Sequence, residues 1–325
     1  MAYIPPFHIT EKIANLTAEI AEKVGSISAT IGDVPQPKLR KENRIKTIQS
    51  SLAIENNTLS IEQVTAIVEG KRVLGSPQEI QEVKNAFETY EHLLTFNPYF
   101  DRDLLLAHQI LMNELVKDNG KFRSKSVGIS DGSNIIHVAP PSERVPYLVN
   151  DLLLWIENSQ LHPLIKSCVF HYEFEFIHPF SDGNGRMGRL WQTLILTDWK
   201  PLFAWIPVET IIKENQKEYY QALQSADNSG DSTIFIEFML KSILHAVEDL
   251  QETQHVGVNV GVNVGVNENM ILDLIKNNSK ITAKEITLHL NISLRQVQRL
   301  IASMKKNKLI FREGSDKSGE WRIIT

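Results

Sequence analysis

The sequence predicts a mainly α-helical body carrying one β-hairpin, followed by a linker and a small C-terminal winged helix-turn-helix domain. Three observations carry this reading. From residue 76 to residue 250 apolar side chains recur three and four positions apart, the spacing of one helix face. A single interval, 127–141, breaks that rhythm with glycine, asparagine and proline. Past a Gly/Val/Asn repeat the charge balance reverses: residues 268–325 hold 11 Lys and Arg against 6 Asp and Glu, whereas residues 1–267 hold 23 against 33. Such asymmetry points to two domains with different partners, the basic one suited to an anionic surface.

The helices begin with good start chemistry. Ser76-Pro-Gln-Glu79 offers an N-cap, a first-turn proline and a capping-box glutamate ahead of Ile80, Val83 and Phe87. That helix is expected to reach about residue 94, with others at about 101–116, 143–158, 163–176, 185–198, 208–226 and 232–250. Between them, Val127 to Ala139 holds two short apolar runs separated around Gly132 and Asn134 and stopped by Pro140-Pro141, the pattern of a β-hairpin. The repeat from Gly257 to Asn267 has a four-residue period, too short and too rich in Gly and Asn for a packed unit, and reads as a linker. Its alternating valines leave a short strand as the other reading. In the tail, Thr282-Ala-Lys-Glu285 and Ser293-Leu-Arg-Gln296 each form a capping box that starts a helix. Val297, Leu300, Ile301 and Met304 make the buried stripe of the second, and Ile310 to Ile324, around Gly314-Ser315, completes a winged helix pattern.

Composition narrows the class. With 42% hydrophobic and 22% charged residues the chain can build a main core and a second one. The N-terminus lacks the features of a secretory signal and no stretch reaches the length of a membrane span, so a cytoplasmic protein without membrane association is expected. The single cysteine, Cys168, agrees with a reducing compartment.

The chemistry concentrates in His178-Pro-Phe-Ser-Asp-Gly-Asn-Gly-Arg-Met-Gly-Arg189. A Gly-Asn-Gly-Arg run opening a helix makes an anion site, because first-turn amides are unpaired and glycine lets phosphate approach the backbone. Asp182 supplies the hard oxygen that suits Mg²⁺ held jointly with substrate phosphates. Arg186 and Arg189 bring guanidinium forks to further phosphate oxygens. His178 is the group that titrates near neutrality and is suited to act as general base. Each residue alone has a bland reading as a turn or a solvated face; their order within twelve residues does not.

These residues resemble the Fic family motif, His-x-Phe-x-(Asp/Glu)-Gly-Asn-Gly-Arg-x-x-Arg, at every specified position. The resemblance implies a Fic-type helical bundle acting as a protein adenylyltransferase, which moves AMP from ATP to a Ser, Thr or Tyr hydroxyl of a target protein. It makes His178 the base, Asp182 the ligand of Mg²⁺ (or Mn²⁺), and Gly183, Asn184, Gly185, Arg186, Met187, Gly188 and Arg189 the ATP-binding segment. Ile135, Ile136, His137 and Val138 look like the family's flap, which adds a strand to the target and covers the nucleotide; a plain surface hairpin is the alternative. Tyr219 and Asn228 fall where relatives contact adenine, although tyrosines facing a core would give the same letters. Ser51-Leu-Ala-Ile-Glu55-Asn56 matches the family's inhibitory motif (Ser/Thr)-x-x-x-Glu-(Gly/Asn), in which Ser51, Glu55 and Asn56 would place the Glu55 carboxylate against Arg189 and block productive ATP binding. The same carboxylate could activate water to remove AMP.

The expected organisation is therefore an N-terminal helical region, 1–95, with an inhibitory helix at about 46–56; a catalytic domain, 96–252; a linker, 253–268; and the winged helix, 269–325. The tail could contact DNA or a protein, which keeps a rival reading open: a DNA-binding regulator whose body senses a nucleotide. A homodimer is also left open.

Overall fold

The computed structural model describes the backbone of residues 3–131, 134–290, 294–306, 309–313 and 319–323. Side chains of residues 128–138 and 252–269 lie outside the described set. The chain divides into two compact units, Met1–Leu250 and Gln251–Thr325.

The first unit is built from α1 (Glu11–Ile31), α2 (Pro37–Ile54), α3 (Ile61–Val68), α4 (Pro77–Glu91), α5 (Asp101–Leu111), the strands β1 (Gly128–Asp131) and β2 (Asn134–Val138), then α6 (Val145–Asn158), α7 (Pro163–Ile177), α8 (Asn184–Trp199), α9 (Val208–Glu214), α10 (Gln216–Ser229) and the start of α11 (Thr233–Asn277). The strands pair antiparallel, Gly128 opposite Val138 and Asp131 opposite Asn134, with a bulge between Ile129 and Ser130.

α7 and α8 form the centre. Every residue of α7 from Leu164 to Phe174 is buried, which explains its weak amphipathicity: apolar neighbours surround it. Its Phe170 and Phe174 enter one core with Ile48 and Leu52 of α2, Val83 of α4, Leu104 of α5, and Met187 and Trp191 of α8. Its Val169 and Tyr172 enter another with Ile20 of α1, Tyr219 of α10 and Met239 of α11. Residues on both sides of position 95 thus share the same cores. Burying each of these large side chains contributes about 2 kcal/mol, so the two site-bearing helices are firmly held in the body.

Four details depart from the sequence reading. Ser76 is the N-cap of α4 but makes no side-chain cap bond; the Glu79 carboxylate instead accepts from the Thr58 amide at 2.7 Å and its hydroxyl at 2.8 Å, two tertiary donors that outcompete the local one. The helix expected at 101–116 ends at Leu111, and the one expected at 208–226 is broken at Asn215 into α9 and α10. Residues 253–268, expected as an irregular linker, are helical within α11. A four-residue period lies close to the 3.6-residue turn, so the repeat is as compatible with helix as with alternation.

The second unit has its own apolar core. Ile271 and Ile275 of α11, Ile286 of α12 (Ala283–Leu290), Val297, Leu300, Ile301 and Met304 of α13 (Leu294–Lys306), Ile310 of β3 (Ile310–Glu313) and Trp321 of β4 (Glu320–Ile323) pack together. β3 and β4 are antiparallel. The Thr282–Glu285 capping box forms in both directions; the second box at Ser293 and the turn at Gly314-Ser315 lie outside the described residues. Among the described residues no helix is long and apolar enough to cross a membrane.

Candidate active site

The loop between α7 and α8 is fixed at both ends by left-handed residues. His178 caps α7 with φ 50° and ψ 61°, and Pro179, lacking an amide proton, cannot continue the helix. Gly183 caps the start of α8 with φ 83°, and a Cβ there would lie 2.7 Å from Met112 Sδ, so glycine is required on both counts. Asn184 staples the loop: its Oδ1 accepts from the Phe180 amide and its Nδ2 donates to the Phe180 carbonyl, both at 2.9 Å.

Beneath the loop, Phe180 is fully buried and stacks on His108, ring centroids 3.6 Å apart and planes within 6°. His108 Nδ1 accepts from the Gly120 amide at 2.9 Å, which leaves Nε2 to carry the proton toward the Asp182 carbonyl at 3.0 Å. Burial pushes the His108 pKa down to about 4, so the imidazole that props the loop is neutral near pH 7. Ser181 is held from outside by Asp118 at 2.7 Å.

The two motif arginines are both buried and both engaged. Arg189 donates from Nε to Ser51 Oγ at 3.2 Å, and from Nη2 to the Ser51 carbonyl at 3.0 Å and to Glu55 Oε1 at 2.8 Å. Burial pulls its pKa down most strongly of any single cause, but Glu55, Tyr219 and Glu175 together outweigh this and hold it above the ordinary guanidinium value. Arg186 lies 3.3 Å from Asp182 Oδ1 and 3.6 Å from Glu82 Oε1. Glu82 in turn accepts from Asn57 at 2.8 Å.

Glu55 reaches this place because α2 stops there. It is the C-cap of α2, and the following Asn56 takes φ 67°, a conformation asparagine tolerates better than most residues. The carboxylate then lies on the first turn of α8: a Cβ built on Gly185 would collide with Glu55 Oε1 and lie 3.1 Å from Arg189 Nη1. Glu55 therefore occupies the position where helix N-terminal amides and Arg189 would hold an anion.

Asp182 is exposed, and its Oδ1 accepts from the Gly183 amide at 2.6 Å. Among the described residues there is no group of three or more His, Cys, Asp or Glu able to hold a metal alone. A lone exposed carboxylate at the mouth of an anion site is the donor set expected for Mg²⁺ shared with substrate phosphates.

The Fic/DOC family model matches residues 99–196, which contain this loop. A crystal structure of a Fic family protein from Desulfovibrio desulfuricans G20 is 46% identical, with a TM-score of 0.78 over 99% of this chain and 98% of that one. The chain belongs to the Fic family. The protein adenylyltransferase Fic of Nematostella vectensis is 30% identical to it over 251 residues, 71% of this chain and 55% of its own length. That of Aedes aegypti is 28% identical over 243 residues, 71% of this chain and 46% of its own. The chain thus spans about half the length of these relatives. A Fic structure from C. elegans, 21% identical with a TM-score of 0.60, shares the fold over 75% of this chain.

Within this Fic fold several expected contacts take a different form. Met187 is fully buried in the core and its amide bonds the Gly183 carbonyl at 3.0 Å, so neither is free for a nucleotide. Gly188 faces α7, where a Cβ would lie 3.0 Å from Glu175 and 3.2 Å from His171, so its missing side chain permits close helix packing. The Asn184 side chain is committed to Phe180, leaving only its main chain to the anion site. Tyr219 is 1% exposed, in the second core, with its hydroxyl 3.0 Å from His171 Nε2. It is the core reading of the Tyr219-Tyr220 pair that holds for Tyr219. Tyr220 is half exposed and donates to the Ile54 carbonyl at 3.4 Å, beside Glu55. Asn228 is exposed near the end of α10. Ile135, Ile136, His137 and Val138 form β2, and their side chains are outside the described set. Sequence reasoning missed His108, because a single histidine in an amphipathic helix carries no spacing signal.

Proposed function

We propose that this Fic protein transfers AMP from ATP to a hydroxyl of a target protein, and that Glu55 restrains it. The single observation that carries the reading is Glu55 seated on Arg189 and Gly185 at the anion site that opens α8. The adenylyltransferase names of the relatives support the same chemistry.

With Glu55 withdrawn, the first turn of α8 and Arg189 are freed for phosphate oxygens. Asp182 would hold Mg²⁺, or Mn²⁺ with the same oxygen donors, and the ion would neutralise phosphate charge. His178 takes the proton of the target hydroxyl, whose oxygen forms a bond to the α-phosphorus. The bond from that phosphorus to the β-bridging oxygen breaks and pyrophosphate leaves. Arg186 and Arg189 stabilise the developing charge, Arg186 after exchanging its acidic partners for phosphate. An extended target segment added to the β1–β2 hairpin would present the hydroxyl. With Glu55 on Arg189, ATP lacks the contact that sets its γ-phosphate, and the α-phosphorus is out of line for attack. Whether Glu55 also activates water against an AMP-modified target is an extension; hydrolysis of such a target by the wild-type protein is its test.

For the second unit we propose a winged helix-turn-helix that recruits a partner, supported by its separate core of helices and a hairpin and its surplus of basic residues. A DNA-binding regulator is the rival, and the surplus of +5 in residues 268–325 is what favours it. Retardation of duplex DNA that weakens steeply with salt would favour the rival.

Transfer is tested with ATP labelled at either the α- or the γ-phosphate, using the Glu55→Gly variant and cell lysate. Protein label from the α position alone supports AMP transfer. Label from the γ position would make this a phosphotransferase instead.

A further inference from the structure

We propose that Arg123 is a positioning residue for the transfer, tying both ends of the β1–β2 hairpin to the main chain that carries His178. This rests on the transferase reading above. Arg123 is 3% exposed, and its side chain donates to four main-chain carbonyls. Two lie where α7 passes into the loop before α8: Nε reaches the His178 carbonyl at 2.7 Å and Nη2 the Ile177 carbonyl at 3.3 Å. Two flank the hairpin: Nη1 reaches Lys125, just before β1, at 2.9 Å, and Nη2 reaches Pro140, just after β2, at 2.5 Å. The Arg123 amide adds a bond to the Pro179 carbonyl at 2.9 Å.

The chemistry explains why an arginine is needed. Its guanidinium is flat, always charged, and presents five donors in fixed directions, so it can bridge carbonyls on opposite sides. A lysine presents its donors from one point and would satisfy one side only. With these donors committed to the main chain, the side chain is placed to organise the site and not to bind phosphate.

The consequence is geometric. A target strand added to the hairpin is located by the hairpin backbone, whereas the base is located by residues 177–179. In-line attack requires the hydroxyl within hydrogen-bond reach of the imidazole and aligned with the α-phosphorus. Arg123 sets the distance between these two frames. It acts on turnover through the backbone and leaves the anion site at α8 untouched.

The test places Arg123→Gln and Arg123→Lys in the Glu55→Gly background. ATP affinity is read by calorimetry. Turnover is read as label from α-labelled ATP at saturation, with the chain itself as acceptor. Amide hydrogen exchange is followed across residues 127–139. We expect ATP affinity to stay within about twofold, while labelling falls about 100-fold for glutamine and less for lysine. Hairpin amides should exchange faster, with α7 unchanged. Labelling and hairpin exchange equal to those of the Glu55→Gly parent would overturn the proposal. So would a parallel loss of ATP affinity and of protection throughout α7 and α8, which marks a general structural role. If the parent takes no label, the transferase reading has failed; hairpin exchange then still decides the tie, because unaltered protection in Arg123→Gln rules it out.

Discussion

Glu55 Oε1 lies 2.8 Å from Arg189 Nη2, with the arginine side chain 1% exposed and the glutamate 35% exposed. One partner is locked in the core and the other stands at the rim, so Glu55 is the partner with room to move. α2 itself is anchored through buried Ile45, Ile48 and Leu52, and Arg44 lies over the Tyr90 and Trp205 rings. A change confined to the C-terminus of α2 would therefore suffice to part the pair.

Removing the carboxylate should cost stability and make it nucleotide-dependent. In Glu55→Gly, Arg189 keeps its bonds to Ser51 but loses its counter-charge, a loss of about 1–3 kcal/mol. ATP should restore about 2.7 kcal/mol when present at about 100 times its Kd. Thermal unfolding with and without ATP checks this: the ATP-induced rise in Tm should be larger in Glu55→Gly than in wild type.

Gly185→Ala should not mimic Glu55→Gly. Its methyl group would displace the Glu55 carboxylate but would also fill the cradle beside Arg189 Nη1. ATP affinity should fall by about tenfold or more, with no gain in labelling. Calorimetry with the Glu55→Gly/Gly185→Ala pair separates the two effects.

The burial of Tyr219 leads to a contrast with Tyr220. Tyr219→Phe should lose the hydrogen bond to His171, about 1 kcal/mol of stability, and leave ATP affinity within about twofold. Tyr220→Ala, beside Glu55 and exposed, should alter ATP affinity more than stability. Denaturant midpoints alongside calorimetry decide between these patterns.

Acid should loosen the loop's support before it unfolds the body. His108, at about 4, lies below its ordinary value of 6.5, so its contribution is complete above pH 6.5 and is lost as pH falls toward 4. The shift corresponds to roughly 3 kcal/mol. His171, pushed by burial to about 3, acts in the same direction over a wider range. Buried Glu173, raised by burial to about 7, opposes them: its protonated form is favoured in the fold, and that stability is lost as pH rises from 4.5 through 7. Stability between pH 7 and pH 4 should fall less steeply in His108→Asn than in wild type, and more steeply in Glu173→Gln. Urea titrations at successive pH values provide the slopes.

Much of this was legible in the sequence because the signals were local. The His178–Arg189 run carries its base, anion cradle and cations in order, and Ser51 and Glu55 stand one helical turn apart on the helix that meets Arg189. Helix periodicity located the central α7 and α8. What escaped depends on tertiary partners. Glu79 prefers Thr58 to its own helix start, and Gly188 is a packing glycine that happens to lie inside a ligand motif. Tyr219 and Tyr220, adjacent in sequence, face opposite environments that no letter distinguishes. His108 and Arg123 act on main-chain atoms far away in sequence, where spacing leaves no trace.

The proposed restraint by Glu55 of an AMP-transfer site whose base is His178 sets the pattern of labelling to expect. The most direct measurement is protein label from α-labelled ATP with Mg²⁺ in wild type, Glu55→Gly and Glu55→Gly/His178→Ala. Strong label in Glu55→Gly, little in wild type and none in the double variant is the expected result. Equal label in wild type and Glu55→Gly, or label that survives loss of His178, would contradict it.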